Sequence, residues 1–388
     1  MALVTLFRRA HHRDGLYLAV APRIGDYSPR TCLVERGQVV NEAVIDVSVV
    51  IATHTRAAEL ARTLASLAQC RFDGSWEILV VDNNSADFTR AVVEAAGRGS
   101  SVRITYLFEG EPGRSAALNA GIRRARGGII ATTDDDVRVD PLWLSAALAG
   151  FRRHSCDYVT GRVLPLWPAE PPGWFPTHGG GVVWGVLALL DFGPDAVPLI
   201  GRAPIGVNAA FRRDAFERVG LFNNRVGRKP GTLLGQEVRE WHVRARSQGL
   251  RGFYLPEMKV SHVIPAERLT KRYFRQWFYW HGVSRAILYR EHALDMESPE
   301  HTTLEFERIP HVLGTPRYLF GSCVRAFVAC CTSLARRDVA AAFQHELKVW
   351  RFLGIVRQRW RDRHVPVRPS SESVSLRIAN TRRSRRTQ

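Results

Sequence analysis

Continuous apolar runs alternate with amphipathic segments between residues 46 and 133. The run at 47–52 (VSVVIA) is rich in β-branched residues and has no polar face, which is typical of a strand buried on both sides of a parallel sheet. In the next segment Leu60, Leu64 and Leu67 recur at helical spacing and predict a helix over 57–70. The alternation continues with strands at 77–81, 102–108 and 128–133 and helices at 88–96 and 115–125. It predicts an α/β fold with a mostly parallel central sheet and flanking helices.

Beyond residue 142 the pattern is less regular. Residues 167–181 are rich in Pro, Gly and Trp, which predicts a long loop in the role of a lid or an acceptor loop. Later segments predict strands at 207–211 and 252–254 and helices at 237–248, 269–291, 315–335 and 339–352. We therefore expect four regions: an N-terminal extension with short strands at 16–20 and 32–40 (1–45), an α/β domain (46–290), a C-terminal helical region (291–365) and a basic disordered tail (366–388).

Positive charge is concentrated at the end of the chain. The 388 residues carry a net charge of +18, and residues 351–388, with 11 Arg and two acidic residues, account for +9 of it. Such a tail suits contact with an anionic membrane, and a solvated tail without a partner explains the composition equally well. A specific nucleic-acid-binding function is not favoured, because the basic residues do not interleave with aromatic residues on a sheet.

The cysteines and the apolar segments bear on the compartment. Six scattered cysteines without a C-x-x-C pair favour a reducing environment. The N-terminus has no signal-peptide pattern. The most apolar stretch, 319–335, contains Arg325 and is shorter than the roughly 20 residues that a spanning helix needs. We expect a cytoplasmic protein, either soluble or attached to the inner face of the plasma membrane.

Three adjacent carboxylates, Asp134, Asp135 and Asp136, follow the strand at 128–133. Their mutual repulsion favours a bound cation, and hard oxygen ligands suit Mg²⁺ or Mn²⁺, which would in turn hold a diphosphate. Alternatively, this acidic loop leads into a helix that Asp140 caps. In open α/β sheets ligands bind at the carboxyl ends of the strands, which is where these residues are expected.

Asp82 ends the strand at 77–81 and is expected at the same edge of the sheet. Its carboxylate could bind a ribose or a base. It could equally cap the following helix, together with Asn83, Asn84 and Ser85. No glycine-rich phosphate loop follows the first strand, which argues against dinucleotide-binding and P-loop folds.

Seven segments stand in a specific order and spacing between residues 46 and 290: VSVVIATHTR (47–56), EILVVDNNS (77–85), GRSAALNAGI (113–122), TTDDDVRVDPLWL (132–144), PIGVNAAFRR (204–213), LLGQEVREWHVRARSQG (233–249) and YLPEMKVSHVIPAERLT (254–270). Together they resemble glycosyltransferase family 2, whose members have the GT-A fold. The resemblance implies an inverting enzyme with a nucleoside-diphosphate sugar as donor. The acceptor would be a hydroxyl of a glycan, a glycolipid or a small molecule.

The resemblance assigns several residues to the donor nucleotide. Thr53 and Thr55 would line the base pocket, Asp82 would bind the base or the ribose, and Arg114 would lie against the nucleotide. Asn119 follows in the next helix.

The resemblance also implies a divalent cofactor, Mn²⁺ or Mg²⁺. Asp134 and Asp136 match the DxD element, in which the first carboxylate contacts the ribose and a later one ligates the metal. Whether Asp135 or Asp136 is the ligand stays open, and Asp135 is grouped with the donor-binding residues. His262 matches a position that completes the metal or diphosphate shell in some members, and a structural hydrogen bond would explain it equally well.

On the acceptor side the resemblance implies a general base at Glu237, where many members have two acidic residues and this chain has Gln236 and Glu237. A helix-dipole role for Glu237 and Glu240 is the alternative, and Glu240 is the reserve base. Asn208 matches a position that lines the acceptor side. The Q-x-x-R-W motif of processive synthases is broken by Glu240, so we expect the addition of a single sugar.

A sugar-nucleotide nucleotidyltransferase is a competing class with a related fold. It would need a glycine-rich loop with Arg after the first strand, and Ala52, Thr53, His54 and Thr55 occupy that position. A basic nucleic-acid-binding protein is the third class.

Overall fold

The computed structural model describes residues 45–168, 170–176, 182–295, 297 and 309–365, together with three short strands before residue 45. These strands, β1 (Leu16–Leu18), β2 (Cys32–Glu35) and β3 (Gln38–Val40), form a small antiparallel sheet. They fall within the two segments predicted as strands. The basic tail at 366–388 and residues 177–181 of the predicted loop lie outside the described residues.

A nine-stranded mixed sheet lies at the centre of the molecule. Its strands are β4 (Val47–Thr53), β5 (Trp76–Asp82), β6 (Arg103–Phe108), β7 (Ile129–Asp134), β8 (Val137–Val139), β9 (Tyr158–Leu166), β10 (Val197–Pro198), β11 (Asn208–Arg212) and β12 (Gly252–Val263). The order is β10-β12-β9-β11-β7-β4-β5-β6, and β8 pairs with β12. Strands β7, β4, β5 and β6 pair in parallel, and antiparallel β11 connects them to the parallel pair β9–β12.

Helices cover both faces of this sheet. Those of the α/β region are α1 (Ala57–Leu67), α2 (Thr89–Arg98), α3 (Arg114–Arg124), α4 (Trp143–His154), α5 (Val182–Val186), α6 (Arg213–Val219) and α7 (Glu237–Ser247). On β4, Val49 and Ile51 pack into one apolar cluster with Leu60, whereas Val50 packs into a second cluster with Ala117. The apolar run at 47–52 therefore serves two layers at once, and the predicted α/β class is confirmed.

The region beyond residue 142 is more regular than its sequence suggests. Helix α4 and strand β9 were not predicted, and β12 is one long strand where a short one was expected. Pro256 interrupts the strand pattern, and the structure accommodates it in a register shift between Leu255 and Lys259. Position 161 in β9 needs a glycine, because a Cβ there would lie 1.8 Å from the Met258 carbonyl oxygen of the neighbouring strand β12. Pro256 and Gly161 both interrupt the strand pattern of the sequence where β9 and β12 lie close together. The periodicity of apolar residues gives no information about such contacts.

Three long helices follow: α8 (Lys271–His292), α9 (Arg317–Ala335) and α10 (Val339–Arg361), the last longer than predicted. A two-strand hairpin of β13 (His311–Val312) and β14 (Thr315–Pro316) precedes α9. Phe274 of α8 and Phe343 of α10 join the apolar cluster of the sheet, so these helices pack against the α/β region.

Helix α9 is different, because most of its surface is exposed. Val324, Phe327 and Val328 are each more than half exposed. Within the described residues, α9 is long and apolar enough to cross a membrane by length and composition, and only 11% of its most apolar window is buried.

Candidate functional site

A cavity of about 1040 Å³ opens at the carboxyl ends of β4, β5 and β7. Residues that follow these strands line it, together with the first residues of α3 and α7 and one side of α8. The lining includes most of the predicted site: Thr53, Arg114, Asp134, Asp135, Asp136, Glu237 and His262. Chain segments that are far apart in sequence thus meet at the edge of the sheet where ligands were expected.

Each of the three adjacent aspartates contacts at least one arginine, and Arg56 is shared by two of them. Asp134 Oδ1 lies 2.6 Å from Arg114 Nη2. Asp135 accepts a hydrogen bond from Thr53 Oγ1 at 2.7 Å and lies 3.0 Å from Arg56 Nη1. The alternative of a simple helix-capping loop explains Asp140, whose Oδ1 accepts from the Leu142 amide, but not the residues of the triplet.

Asp136 contacts three basic side chains. Its Oδ2 lies 2.6 Å from Arg56 Nη1 and 3.6 Å from Arg268 Nη2, and its Oδ1 lies 3.2 Å from His262 Nε2. Burial opposes ionisation, but the contacts with His262, Arg56 and Arg268 hold the pKa of Asp136 well below its ordinary value. Burial and the neighbouring Asp136 raise the pKa of Asp135 to about 6. Of the two buried carboxylates, Asp136 is therefore the more readily ionised.

The surroundings of Asp136 fit a divalent cation. Its Oδ1 is buried and faces His262 Nε2 at 3.2 Å. The opposing His262 is also buried, and its Nδ1 is 2.9 Å from the Leu187 carbonyl oxygen, which leaves Nε2 directed at Asp136. A hydrogen bond from one ring nitrogen to a carbonyl is the usual support for a histidine that ligates a metal through the other. Within the described residues no group of three or more His, Cys, Asp or Glu side chains is already arranged to hold a metal ion.

Glu237 lies at the start of α7, and its surroundings connect it to the aspartates. Arg114 Nη1 lies 2.5 Å from Glu237 Oε1, while the same guanidinium binds Asp134. Burial lowers the pKa of Arg114, but the negative charges of Asp134 and Glu237 outweigh this effect and raise the pKa above its ordinary value. Glu237 Oε2 is buried and has no hydrogen-bond partner among the described residues. Arg114 therefore holds Oε1 of Glu237 in place, while Oε2 of this cavity-lining residue can still accept a hydrogen bond.

Backbone geometry places Arg114. Gly113 precedes α3 with φ at 140°, in a region that side chains rarely adopt. Its amide donates to Asn83 Oδ1, and Asn83 Nδ2 donates to the carbonyls of Glu109 and Glu111. The polar residues after β5 thus hold the loop that leads to Arg114.

Several predicted residues are not in the cavity wall. Asp82 accepts hydrogen bonds from the Ser85 amide and Tyr106 Oη, and exposed Thr55 has φ at 52°. Asn208 is fully buried and uses its side chain between strands: Oδ1 accepts from Trp143 Nε1, and Nδ2 donates to the carbonyls of Arg162 and Met258. Asn119 binds the backbone of Phe222 through both side-chain groups.

Sequence reasoning missed most of the basic residues of the cavity. Its wall contains Arg56, Arg228, Lys229, Arg239, Arg268, Arg285 and Arg351, none of which had been assigned a role. Arg56 is the last residue of the first of the seven segments, and Arg268 lies in the last segment. The position of these two arginines within the segments could therefore have pointed to a role in the site. Arg285 and Arg351 lie outside all seven segments, on helices that only the tertiary structure brings to the cavity.

Comparisons with known proteins show which family and fold this chain resembles. The family model described as glycosyl transferase family 2 matches residues 48–220. A glucosyl-dolichyl phosphate glucuronosyltransferase of Haloferax volcanii is 26% identical over 247 residues, which is 62% of this chain and 77% of the relative. A dodecaprenyl-phosphate galacturonate synthase of Rhizobium johnstonii is 32% identical over 132 residues, 32% of this chain and 38% of the relative.

Among solved structures, the mannosyltransferase PcManGT from Pyrobaculum calidifontis, in complex with GDP-Man and Mn²⁺, has a TM-score of 0.54 at 18% identity. The alignment covers 81% of this chain and 87% of that one. This likeness in fold confirms the predicted GT-A type of fold.

Proposed function

Because the chain belongs to glycosyltransferase family 2, we propose that it transfers single sugars from a nucleoside-diphosphate sugar to an acceptor hydroxyl, with inversion at the anomeric carbon. The family makes it an enzyme that transfers sugars and decides against the nucleotidyltransferase and nucleic-acid-binding classes. One observation carries the proposed mechanism. Glu237 has a buried oxygen with no hydrogen-bond partner among the described residues, and it lines the same cavity as the three aspartates.

In this reaction Glu237 is the general base. The acceptor oxygen attacks the anomeric carbon as the bond to the diphosphate breaks, and the hydroxyl proton passes to Glu237 Oε2. A single displacement needs one such base on the acceptor side. Arg114 orients the carboxylate through Oε1 and keeps its contact with Asp134 throughout.

The donor would be bound by the residues around the ends of β4, β5 and β7. Thr53, Arg114, Asp134 and Asp135 line the cavity and would contact the nucleotide. Thr55 and Asp82 are assigned to the nucleotide on the family resemblance. The basic residues of the wall complement the negative charge of a diphosphate.

Asp136 and His262 would hold Mn²⁺ or Mg²⁺, with Asp134 as a further ligand. When bound, such an ion supplies positive charge that stabilises the departing diphosphate. The support is the buried Oδ1 of Asp136, which faces the buried His262 Nε2 at 3.2 Å at the edge of the cavity.

We assign the acceptor to the lipid-linked class. Two relatives are named for lipid phosphates, glucosyl-dolichyl phosphate and dodecaprenyl phosphate. Work on such acceptors would place this chain at the cytoplasmic face of a membrane, and the basic tail would contact anionic lipid there. Asn208 would support the acceptor side by holding β9, β11 and β12 in register.

A donor screen tests the proposal. The purified full chain is incubated with a panel of nucleotide sugars and Mn²⁺, and nucleotide release is measured with and without EDTA. We expect release from one donor or a closely related pair, and its loss on chelation. Absence of release from every nucleoside-diphosphate sugar would overturn the donor class, and retention of the anomeric configuration in the transferred sugar would overturn inversion.

A further inference from the structure

A second group of basic side chains lines the cavity, and three helices of the chain supply these side chains. Arg239 belongs to α7, His281 and Arg285 to α8, and Arg351 to α10, and all four side chains line the cavity. Arg239 and Arg351 lie close enough to Arg285 to depress its ionisation, and burial together with these two neighbours lowers the pKa of Arg285 to about 9. The helices therefore hold three guanidinium groups near one another, at a cost in mutual repulsion.

The local acidic residues offset this charge only in part. Arg351 lies 3.6 Å from Glu297, and Arg285 donates to the Asp295 carbonyl oxygen. Arg239 makes no hydrogen bond or ion pair with any described residue, and burial lowers its pKa to about 10. A partly buried guanidinium without a partner costs free energy that a bound anion would recover.

A partly apolar groove begins beside this basic cluster. It lies between α9 and α10, has a volume of about 360 Å³, and shares Arg351 and Glu297 with the large cavity. Its apolar side chains are Leu319, Ala326, Ala329, Phe352 and Ile355, and Ser322, Arg325, His345 and Lys348 also line it. One end of the groove thus meets the cationic cluster, and α9 forms its side with an otherwise exposed apolar surface.

We propose that Arg239, Arg285 and Arg351 form a phosphate subsite and that the α9–α10 groove receives the hydrocarbon chain of the same molecule, an acceptor lipid phosphate. The continuity of the two sites matches an amphiphile in which a phosphate joins a sugar to a chain. This assignment rests on the proposed function for the sugar end, whose hydroxyl would face Glu237. It goes beyond that function in naming the residues and the groove that select the acceptor.

The test measures binding of simple probes to the full chain by titration calorimetry. Dodecyl phosphate carries both features, inorganic phosphate lacks the chain, and dodecyl maltoside lacks the charge. We expect dodecyl phosphate to bind at least tenfold more tightly than either of the others, below its critical micelle concentration. A saturating nucleoside diphosphate with Mn²⁺ should leave this binding in place, because it occupies the donor end.

Paired variants separate the two parts of the site. Arg239→Gln should weaken dodecyl phosphate at least tenfold without lowering the melting temperature, since the arginine has no partner to lose. Ala329→Phe, which fills the groove, should weaken dodecyl phosphate but not inorganic phosphate. The matched controls are Arg336→Gln and Val328→Phe, which are exposed and line neither cavity.

The possible results are decisive in either direction. Equal affinity for dodecyl phosphate and dodecyl maltoside, or an unchanged affinity in Arg239→Gln, would overturn the phosphate subsite. Equal affinity for dodecyl phosphate and inorganic phosphate would overturn the hydrocarbon groove. Displacement by the nucleoside diphosphate would show that the probe had bound at the donor end. These measurements need no turnover, so their failure is distinct from a failure of the donor screen.

Discussion

Two glutamates three residues apart on α7 have different surroundings. Glu237 lines the cavity and keeps Oε2 without a partner among the described residues. Glu240 is equally buried, but its carboxylate binds Arg244 and lies 2.9 Å from His292 Nε2. These partners lower the pKa of Glu240 against the effect of burial. Glu240 therefore has a structural role, and Glu237 is left as the candidate base.

This contrast predicts the behaviour of a matched pair of variants. Glu237→Gln should reduce sugar transfer by about 10²–10⁴-fold, because the amide keeps the contact with the cavity but cannot accept a proton. Donor binding, measured by calorimetry, should change little. Glu240→Gln should leave more of the transfer rate and lose more stability, by about 1–3 kcal/mol, since it weakens a buried charged network. Equal loss of transfer in the two variants would contradict the assignment of the base.

The aspartates allow a second prediction at the same scale. Asp136 faces His262, whereas Asp135 faces Thr53, and both contact Arg56. Asp136→Asn should therefore reduce Mn²⁺ affinity at least tenfold, measured by electron paramagnetic resonance without substrate turnover. Asp135→Asn is the control, because it removes the same charge and the same Arg56 contact. If Asp135→Asn lost Mn²⁺ and Asp136→Asn kept it, the ligand would be Asp135.

At the scale of elements, two glycines determine how closely α8 and α10 approach. A Cβ at Gly282 would lie 2.0 Å from the Arg351 carbonyl oxygen, and one at Gly354 would lie 2.0 Å from the Tyr279 carbonyl oxygen. Neither helix can accept a side chain there without separation of the backbones. Since α8 and α10 both line the cavity, this crossing also determines the shape of the proposed acceptor site.

We expect Gly282→Ala to destabilise the protein by about 1–3 kcal/mol, because the added methyl group has no space. Thermal unfolding measures the effect. Gly321→Ala on α9 is the matched control: its nearest contact is the flexible end of Arg325 at 3.4 Å, so the helix gains roughly 0.5–1 kcal/mol from the better helix former. Similar melting temperatures in the two variants would mean that the helices do not cross in this way.

At the scale of the whole molecule, acid stability depends on a buried histidine. His242 is 1% exposed and contacts Tyr158 Oη at 2.8 Å. Burial, with smaller effects from Arg246 and Arg239, lowers its pKa to about 3. The unfolded chain would take up a proton near pH 6.5, where the folded chain does not.

The folded state should therefore lose stability as the pH falls below about 6.5. Between pH 7 and pH 5 this one group contributes a loss of about 2 kcal/mol. His242→Gln keeps a polar partner for Tyr158 but does not titrate, so its unfolding free energy should fall less over the same interval. Chemical denaturation at the two pH values measures the difference. Parallel pH profiles would show that His242 is protonated in the folded state.

The uneven distribution of charge gives a prediction for the complete chain. Residues 366–388 carry six Arg and one Glu. Their removal should weaken binding to vesicles that contain phosphatidylserine, by up to about 1 kcal/mol for each Arg near the surface, and should leave nucleotide release unchanged. Replacement of the six Arg by Lys is the control, because it keeps the charge and should keep the binding. A large loss of nucleotide release on deletion would assign the tail to the catalytic fold.

Local patterns were sufficient for the α/β class, the succession of strands along the chain up to residue 134 and the clustering of polar residues at one edge. An apolar run such as 47–52 can be buried only between two layers, and parallel strands bring their carboxyl ends together. The seven segments, in their order, were sufficient for the family. Asp136, Glu237 and His262 were predicted as site residues in this way, and they line one cavity, although no pattern showed which atoms they would face.

Only the tertiary structure decided which charges meet. Arg114 joins Asp134 and Glu237, which lie 20 and 123 positions away along the chain. Arg239, Arg285 and Arg351 come together because α7, α8 and α10 converge on one cavity. The structure also decides that one face of α9 is exposed, because no other described element packs against that face. The same apolar sequence would be equally suitable for a buried helix. Periodicity determines which side of an element is apolar, whereas the partner of each side chain depends on long-range packing that one sequence does not specify locally.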